Sequence, residues 1–234
     1  MLTDLSRLSH NRAMKWAGES APPNLEASLQ TVDVMAKTLI VPGLFGSDTG
    51  HWQRHWLNDD PQAVLVEQAD WDHPKLETWR DSLEREILRY GNVDLVAHSL
   101  GCLLVASLAQ RPLARHVRRA LLVAPCDLGA TDRLHPGAVD FGQMPELPLP
   151  FSSLVVGSLN DPYMPFDRLR HFSTRWGSRL VDLGHAGHIN IASGFGRWSH
   201  GYDLLKVLNG IARREPLIQP SELRERLPLP GGIA

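Results

Sequence analysis

One stretch constrains the fold of this chain more than any other: residues 93–109, which read VDLVAHSLGCLLVASLA. Four apolar residues before the turn alternate or run together as in a short buried strand, and the apolar run from Leu100 onward is long enough for a buried helix. Ser99 stands at the tip of the turn between them, with the small residues Ala97 and Gly101 two positions to either side. This is the layout of a nucleophile elbow, whose strained turn admits only small neighbours. Ala97 replaces the glycine of the general motif, and an ordinary strand–helix turn is the alternative interpretation.

The rest of the chain alternates short apolar runs with helical patterns. Further strands are predicted at 38–41, 63–67, 120–124, 154–156 and 180–183, and helices at 51–56, 76–90, 166–176 and 198–211. Such alternation is typical of an α/β fold with a mostly parallel sheet and helices on both faces. Ligands of such sheets bind beyond the carboxyl ends of the strands. The polar loops that follow the strands are therefore expected to converge on one edge.

We expect three segments along the 234 residues. Residues 1–35 are polar and lack strong periodicity, which predicts a flexible N-terminal extension. Residues 214–234 are proline-rich and charged, and they are expected to form a loosely held tail. The folded domain would then span 36–213. Within it, residues 126–151 contain four prolines and several glycines, which excludes long regular structure and predicts a loop that could cover a site.

Composition narrows the class of protein. A hydrophobic content of 43% with 21% charged residues is ordinary for a soluble globular chain. The net charge of −2, without a basic block, argues against a nucleic-acid partner. No apolar run reaches the roughly 18 residues of a membrane span, and the first 30 residues lack the apolar core of a signal peptide. Two cysteines, Cys102 and Cys126, do not make a disulfide framework, so we expect a cytoplasmic protein.

A serine hydroxyl becomes a nucleophile when a base removes its proton and an acid orients that base. The chain offers Ser99 after one strand, Asp161 after a later strand and His188 after the last. This order, Ser…Asp…His, is that of α/β-hydrolases. Two alternatives stay open: Asp127 is the rival acid, since Asp161 could serve only its Asn-Asp-Pro turn, and His185 is the rival base.

Two backbone N–H groups are expected to form an oxyanion hole. One is that of Leu100, which follows the nucleophile at the start of its helix, and the other is that of Leu44, in the loop after the first strand. Side chains chosen as walls of a substrate pocket are Phe45, Trp71, Met144 and Phe195.

Metal binding is the main competing use for histidine. His51 and His55 are four residues apart on a predicted helix, but no glutamate completes a His-Glu-x-x-His pattern. His185 and His188 are the other possible ligands. We predict no metal and no cofactor.

Several motifs in fixed order resemble one known family. They are Val41-Pro42-Gly43 through Gly46-Ser47, His51-Trp52-Gln53 with Trp56, Gln68 with Asp70-Trp71 and Pro74, His98-Ser99-Leu100-Gly101, Asn160-Asp161-Pro162, and Gly187-His188-Ile189-Asn190 with Ser193-Gly194-Phe195-Gly196 and Trp198. Across about residues 37–212 the chain resembles the small serine hydrolases related to retinoblastoma-binding protein and the bacterial YdeN-like proteins. The resemblance implies a compact α/β-hydrolase fold, a Ser99–Asp161–His188 triad, and esterase or aminopeptidase-like activity. The retinoblastoma-binding motif Leu-x-Cys-x-Glu is absent, so that partner is not implied.

The leading hypothesis is a serine hydrolase that cleaves a small ester or amide through an acyl-enzyme. An acyltransferase would use the same residues with a different acceptor. The rival from another class is a binding protein with a hydrolase fold and little or no activity. Three loops carrying a complete Ser, Asp and His set favour the enzyme, because a binding protein need not keep all three. The oligomeric state is left open by the sequence.

Overall fold

The computed structural model describes residues 36–208, and the predictions for 1–35, 209–213 and 214–234 lie outside them. The strands are β1 (Lys37–Val41), β2 (Ala63–Leu65), β3 (Val93–His98), β4 (Val117–Val123), β5 (Ser152–Gly157) and β6 (Arg179–Asp182). The α-helices are α1 (Trp52–Asp59), α2 (Leu76–Tyr90), α3 (Leu100–Ala106), α4 (Leu128–Leu134), α5 (Phe166–Trp176) and α6 (His200–Val207), with 3₁₀ turns at Pro112–His116 and Ile191–Ser193. None of these helices is long and apolar enough to cross a bilayer.

The strands form one six-stranded sheet in the order β2-β1-β3-β4-β5-β6. Every neighbouring pair is parallel, which confirms the predicted sheet type. The chain moves outward from β1 to β2 and then returns to place β3 on the other side of β1. This reversal creates a switch point between β1 and β3, where ligands of open α/β sheets bind. The loop after β1 and the turn after β3 therefore meet at the same place.

Alternation along the strands divides the core into two layers. Leu39 and Val41 face one layer together with α2, α3 and α5, whereas Ile40 and Val96 face the other together with α1 and α6. The long helix α2 contributes Trp79, Leu83 and Ile87 at helical spacing, and all three are fully or almost fully buried. Helices thus cover both faces, and the carboxyl edge of the sheet stays open to the loops.

Several element boundaries differ from the sequence prediction by a few residues, and two departures have a physical cause in the structure. Strand β4 begins at Val117, before the apolar run, because Arg118 and Arg119 both pair with Asp94 of the adjacent strand at 3.2 and 2.6 Å. The segment 126–151 contains the short helix α4, since the Asp127 carboxylate accepts the N–H of Ala130 at 2.9 Å and caps its first turn. An ion pair between strands thus extends β4 beyond its apolar run, and a side-chain cap allows a short helix in a segment rich in proline and glycine.

Candidate active site

Ser99 projects from the turn between β3 and α3, with φ 54° and ψ −122°. The backbone that follows β1 lies close to this turn. A Cβ on Gly101 would lie 2.3 Å from the carbonyl oxygen of Val41, and one on Gly43 would lie 2.7 Å from the Cβ of Ser99. Both positions therefore require glycine. The strand, the strained turn and the helix form in the order that the sequence predicts.

A chain of hydrogen bonds runs from Ser99 through His188 to Asp161. The hydroxyl of Ser99 lies 2.9 Å from Nε2 of His188, and Nδ1 of His188 lies 2.9 Å from both carboxylate oxygens of Asp161. All three residues are buried, with 7 to 9% of their surface exposed. With Nδ1–H donating to Asp161, the lone pair on Nε2 faces the serine hydroxyl, which is the tautomer that a proton acceptor needs.

A second network holds the loops of Asp161 and His188 together. The fully buried hydroxyl of Ser158 lies 2.7 Å from Oδ1 of Asn160 and accepts the N–H of Ala186 at 2.9 Å. Oδ1 of Asn160 also accepts the N–H of Gly187 at 2.8 Å. These bonds link the residue before Asp161 to the residue before His188. We call Ser158 and Asn160 the loop staple.

The two alternative residues are engaged elsewhere or exposed. Asp127 caps α4 and pairs with Arg168, whose Nε lies 2.7 Å from Oδ2 of Asp127. His185 is exposed and lies outside the cleft. Of the four candidates, only Asp161 and His188 share hydrogen bonds with each other, and only His188 reaches Ser99.

The two expected oxyanion donors lie beside the elbow. Leu100 is the first residue of α3, and the first N–H groups of a helix have no partner within it. Leu44 lies in the turn that the N–H of Gly46 closes onto the carbonyl oxygen of Gly43 at 3.0 Å. The absence of a side chain on Gly43 leaves room for Ser99, since a Cβ on Gly43 would lie 2.7 Å from the Cβ of Ser99. Both leucines line the cleft described next.

A cleft of about 430 Å³ opens above Ser99. It is bounded by the loop after β1, by α4 and by the loop after β6 that carries His188, which we call the histidine loop. Its further lining residues include Phe45, Asp48, His51, His98, Cys126, Thr131, His135, Tyr163, Asn190 and Ile191. Segment 126–151 therefore contributes walls of the cleft, as expected of a loop that could cover a site. Among residues 36–208, no three histidine, cysteine or acidic side chains are grouped as a metal-binding set.

Of the four side chains expected as walls, Phe45 lines the cleft. The other three lie outside it, contrary to the expectation. Trp71 lies under Gly46 and packs edge-on against Trp79 in the core. Met144 also packs against the core, and its sulfur accepts the N–H of Leu128. Phe195 packs edge-on against Trp198 in the other layer.

Two further histidines lie behind His188. The ring of His98 is 4.9 Å from that of His188 and 4.8 Å from that of His51, measured between centroids. Burial lowers the pKa of His51 from 6.5 to about 4 and holds the pKa of His98 well below its ordinary value. Both rings are therefore neutral at pH 7, and a positive charge that forms on His188 meets no second imidazolium.

Several residues that line the cleft were not predicted from the sequence, and only some of them lie close enough to a motif to have been found from it. His98 precedes Ser99 directly and Tyr163 follows Asp161 by two positions, so both could have been found from the motifs. Thr131 and His135 come from a segment without periodicity, and Cys126 reads as an ordinary buried thiol. Burial raises the pKa of Cys126 to about 12, which leaves this neighbour of Ser99 a protonated thiol at neutral pH.

Comparison with known proteins agrees with this geometry. The sequence profile of a family described as serine hydrolase matches residues 38–207, well over half of the chain. The chain belongs to the serine hydrolase family. The resemblance predicted from the motifs is thereby confirmed, and this serine hydrolase is accordingly a hydrolytic enzyme.

Solved structures similar to this serine hydrolase share its α/β-hydrolase fold. A YdeN-like hydrolase from Pectobacterium atrosepticum is 32% identical, covers 79% of this chain and 96% of its own, and superposes with a TM-score of 0.65. The ydeN gene product of B. subtilis is 23% identical, with 75% and 100% coverage and a TM-score of 0.58. Esterase 2 of Thermogutta terrifontis, seen phosphorylated by paraoxon, is 15% identical, with 74% and 80% coverage and a TM-score of 0.53. At their low identities the last two show the fold alone. No curated protein sequence matches the chain significantly.

Proposed function

We propose that this serine hydrolase cleaves a small ester or amide, with Ser99 as nucleophile, His188 as general base and acid, and Asp161 as the group that orients His188. The observation that carries the proposal is the unbroken hydrogen-bonded chain from the Ser99 hydroxyl to the Asp161 carboxylate, at the floor of an open cleft. A hydroxyl at 2.9 Å from Nε2 is within proton-transfer reach.

In the first half-reaction the Ser99 oxygen attacks the substrate carbonyl carbon while its proton passes to Nε2 of His188. The negative charge that develops on the carbonyl oxygen is stabilised by the N–H groups of Leu44 and Leu100. Each such donor contributes about 3–4 kcal/mol to the transition state in other enzymes. The bond to the leaving group then breaks, and the proton on Nε2 passes to the departing alcohol or amine.

In the second half-reaction a water molecule attacks the acyl carbon of the ester on Ser99 and gives its proton to Nε2 of His188. The acyl–oxygen bond to Ser99 breaks, the proton returns to the serine oxygen, and the carboxylic acid leaves. Asp161 holds the imidazole in the reactive tautomer and stabilises its charged form in both halves. The neutral rings of His51 and His98 add no opposing charge.

The same residues would serve an acyltransferase if an alcohol or amine replaced water as the acceptor. Water is the acceptor we propose, because the family is one of hydrolases. We further propose a cytoplasmic location on the basis of cysteine usage, since Cys102 and Cys126 are both free and buried.

Labelling with a fluorophosphonate probe tests the nucleophile. The wild-type protein is expected to take up the probe and to hydrolyse short p-nitrophenyl esters. Ser99→Ala should lose labelling and about 10⁶-fold in kcat, the loss measured for a triad nucleophile in an unrelated enzyme. Ser107→Ala is the matched control, because its hydroxyl bonds to the carbonyl oxygen of Leu104 on α3 and lies outside the cleft. Folded wild-type protein that takes up no label and cleaves no ester would overturn the proposal in favour of a binding protein.

A further inference from the structure

One wall of the cleft is aromatic, and the reaction proposed above gives it no task. The ring of Tyr163 lies 4.3 Å from that of His188, and the ring of His135 lies 5.9 Å from Tyr163 with only 9° between their planes. Phe45 meets His135 edge-on at 5.2 Å. Phe45, His135 and Tyr163 all line the cleft and form one continuous surface, which we call the aromatic wall.

Phe45 is exposed and holds a backbone conformation that is unfavourable for a bulky residue. Its side chain is 53% exposed, and its φ is +66°. It is the third residue of the turn from Gly43 to Gly46, a position that ordinarily takes glycine or asparagine when φ is positive. A bulky residue in the left-handed region is strained, and such strain is concentrated at ligand-binding sites. An exposed and strained phenylalanine at the mouth of a cleft points to contact with a ligand.

The other two members are fixed before any ligand arrives. Nε2 of His135 lies 2.9 Å from the hydroxyl of Tyr163, which ties α4 to the loop of Asp161. The N–H of Tyr163 donates to Oδ1 of Asp161 at 2.8 Å, and its carbonyl oxygen accepts the N–H of Asp127 at 2.8 Å. A wall held on several sides loses little conformational entropy when a ligand stacks against it.

The position of the aromatic wall decides whether it contacts the acyl group or the leaving group of the substrate. In the proposed reaction His188 delivers its proton to the leaving group, so the leaving group must lie beside Nε2 of His188. The wall starts at the His188 ring with Tyr163 and ends at Phe45, next to the oxyanion donor Leu44. It therefore borders the path of the departing alcohol or amine.

The charge of the cleft limits the chemistry of that group. Among the described residues that line the cleft there is no lysine or arginine, and Asp48 is the one carboxylate outside the proposed triad. Arg54 lies near His51 but directs its Nε to the carbonyl oxygen of Ser47 at 2.7 Å. Nothing in this lining would pair with an anionic leaving group. Flat, uncharged aromatic rings suit a wall of this kind, because aromatic pairs gain from stacked or edge-on contact beyond burial alone.

We propose that the aromatic wall is a leaving-group subsite for an uncharged, planar aromatic ring, so that esters and amides of aromatic alcohols or amines are the preferred substrate class. The inference rests on the proposed function for the identity of the leaving-group side. Residues Phe45, His135 and Tyr163 are its binding surface, and they do not take part in proton transfer.

Benzyl acetate and cyclohexylmethyl acetate provide a matched test. Their leaving groups are similar in size and basicity, but only one is planar, and both form the same acetyl-enzyme. A difference in kcat/KM therefore reports binding and acylation on the leaving-group side alone. We expect wild-type protein to favour benzyl acetate by about threefold to tenfold, the range of one or two aromatic contacts. Equal kcat/KM values for the two esters would overturn the inference.

Variants of the wall separate the subsite from the general chemistry. Phe45→Leu and His135→Ala should bring the ratio close to one, whereas Phe45→Tyr should retain it, because tyrosine keeps the ring at the same strained position. His171→Ala is the control, since His171 also makes an edge contact with a phenylalanine, Phe172 at 5.1 Å, but it lies on the exposed face of α5 and does not line the cleft. A wild-type ratio that survives both Phe45→Leu and His135→Ala would assign the preference to another surface and contradict the inference.

Binding without turnover separates failure of the subsite from failure of the proposed function. Ser99→Ala protein can be titrated with benzyl alcohol and with cyclohexylmethanol, with chemical-shift changes in the NMR spectrum as the readout. Tighter binding of benzyl alcohol, weakened by a second substitution Phe45→Leu, would support the subsite even if neither acetate were hydrolysed by wild-type protein. Equal affinities for the two alcohols would refute it, including in a protein that hydrolyses both esters.

Discussion

Phe45, Ser99, Ala124 and Ile189 are the non-glycine residues with positive φ within residues 36–208, and all four lie in loops that follow strands. Each such position costs about 1–3 kcal/mol and persists only where the surroundings over-determine it. The neighbouring strands supply that constraint: Ser99 donates its N–H to the carbonyl oxygen of Val123 at 3.0 Å, and Ala124 donates to that of Val156 at 2.7 Å. At the residue scale, strain is concentrated around the candidate nucleophile.

The choice of acid and base can be tested by paired substitutions. Asp161→Asn should lower kcat by about 10⁴-fold, because an amide at this position favours the wrong tautomer of the histidine. Asp127→Asn should leave kcat within severalfold of wild type, since an asparagine still caps α4 and only the pairing with Arg168 is weakened. Steady-state kinetics on one ester, with circular dichroism to verify folding, gives the comparison.

The same measurement applies to the histidines. His188→Ala should abolish turnover, whereas exposed His185→Ala should not. If the folded Asp127 and His185 variants were the inactive ones, the proposed pair of Asp161 and His188 would be wrong.

Buried His51 makes a prediction about stability in acid. Its pKa is about 4 in the folded protein against 6.5 in the unfolded chain, so the unfolded chain binds more protons between these values. The stability that the neutral ring contributes is therefore fully present above pH 6.5 and is lost as the pH falls towards 4. The loss is on the order of 3 kcal/mol from this residue.

Urea unfolding of wild-type and His51→Asn protein at several pH values between 7 and 4 measures this contribution. Asparagine keeps the acceptor that caps α1, where Nδ1 of His51 now accepts the N–H of Gln53, but it does not titrate in this range. The variant should lose less stability on acidification than wild type does. His171→Asn controls for the removal of an exposed histidine, and parallel curves for wild type and His51→Asn would contradict the assignment.

At the scale of elements, the candidate site depends on how loops from different strands are joined. The acid loop follows β5 and the histidine loop follows β6, and the loop staple of Ser158 and Asn160 connects them. The strands fix where each loop starts, but the staple fixes how far Asp161 and His188 stand apart. Small displacements of reacting groups have large effects on rate, which makes this connection a positioning device.

Asn160→Ala and Asn160→Asp test the staple. Oδ1 of Asn160 acts only as an acceptor in the bonds from Ser158 and Gly187, so aspartate can replace it and alanine cannot. We expect Asn160→Ala to lower kcat by roughly tenfold to a hundredfold with little change in KM, because the two loops lose their spacing. Asn160→Asp should restore most of kcat and, by adding a negative charge near His188, move the acidic limb of the pH–rate profile to higher pH. Equal losses in both variants would show that the acceptor is not what matters.

At the scale of the whole molecule, the sheet, both core layers and the cleft are all built from residues 36–208. A shortened chain that starts at Met35 is therefore expected to unfold cooperatively and to keep the kcat/KM of the full chain. A chain that starts at Leu44 is the control: it lacks β1, which lies between β2 and β3, and it should not fold. Thermal unfolding followed by circular dichroism measures both. Loss of cooperative unfolding in the chain that starts at Met35 would show that the preceding residues stabilise the core.

Much of this architecture could be predicted from the sequence, because its determinants are local. The alternation of apolar runs and helical patterns indicates a parallel sheet with helices on both faces, and small residues around Ser99 indicate the elbow. Ser99, Asp161 and His188, which follow three different strands, also come together in the structure, because parallel strands bring all their carboxyl ends to one edge of the sheet. Gly101 shows why the motif is reliable: a side chain there would collide with the backbone of β1.

The tertiary structure decided what depends on residues distant in the chain. Asp127 and Asp161 both follow strands, and only the contact with Arg168 and the cap of α4 show that Asp127 is engaged elsewhere. The sequence predicted Trp71 and Phe195 as pocket walls, but Trp71 packs on Trp79 and Phe195 packs on Trp198, because large rings near a core gain most from burial. No pattern in the sequence indicated that His135 lines the cleft, since its place opposite Phe45 is set by the path of segment 126–151 across the cleft. Periodicity and backbone geometry depend on residues that are close in the sequence, so the sequence predicts them. The walls of a cleft depend on which loops face each other in the folded protein, so only the tertiary structure decides them.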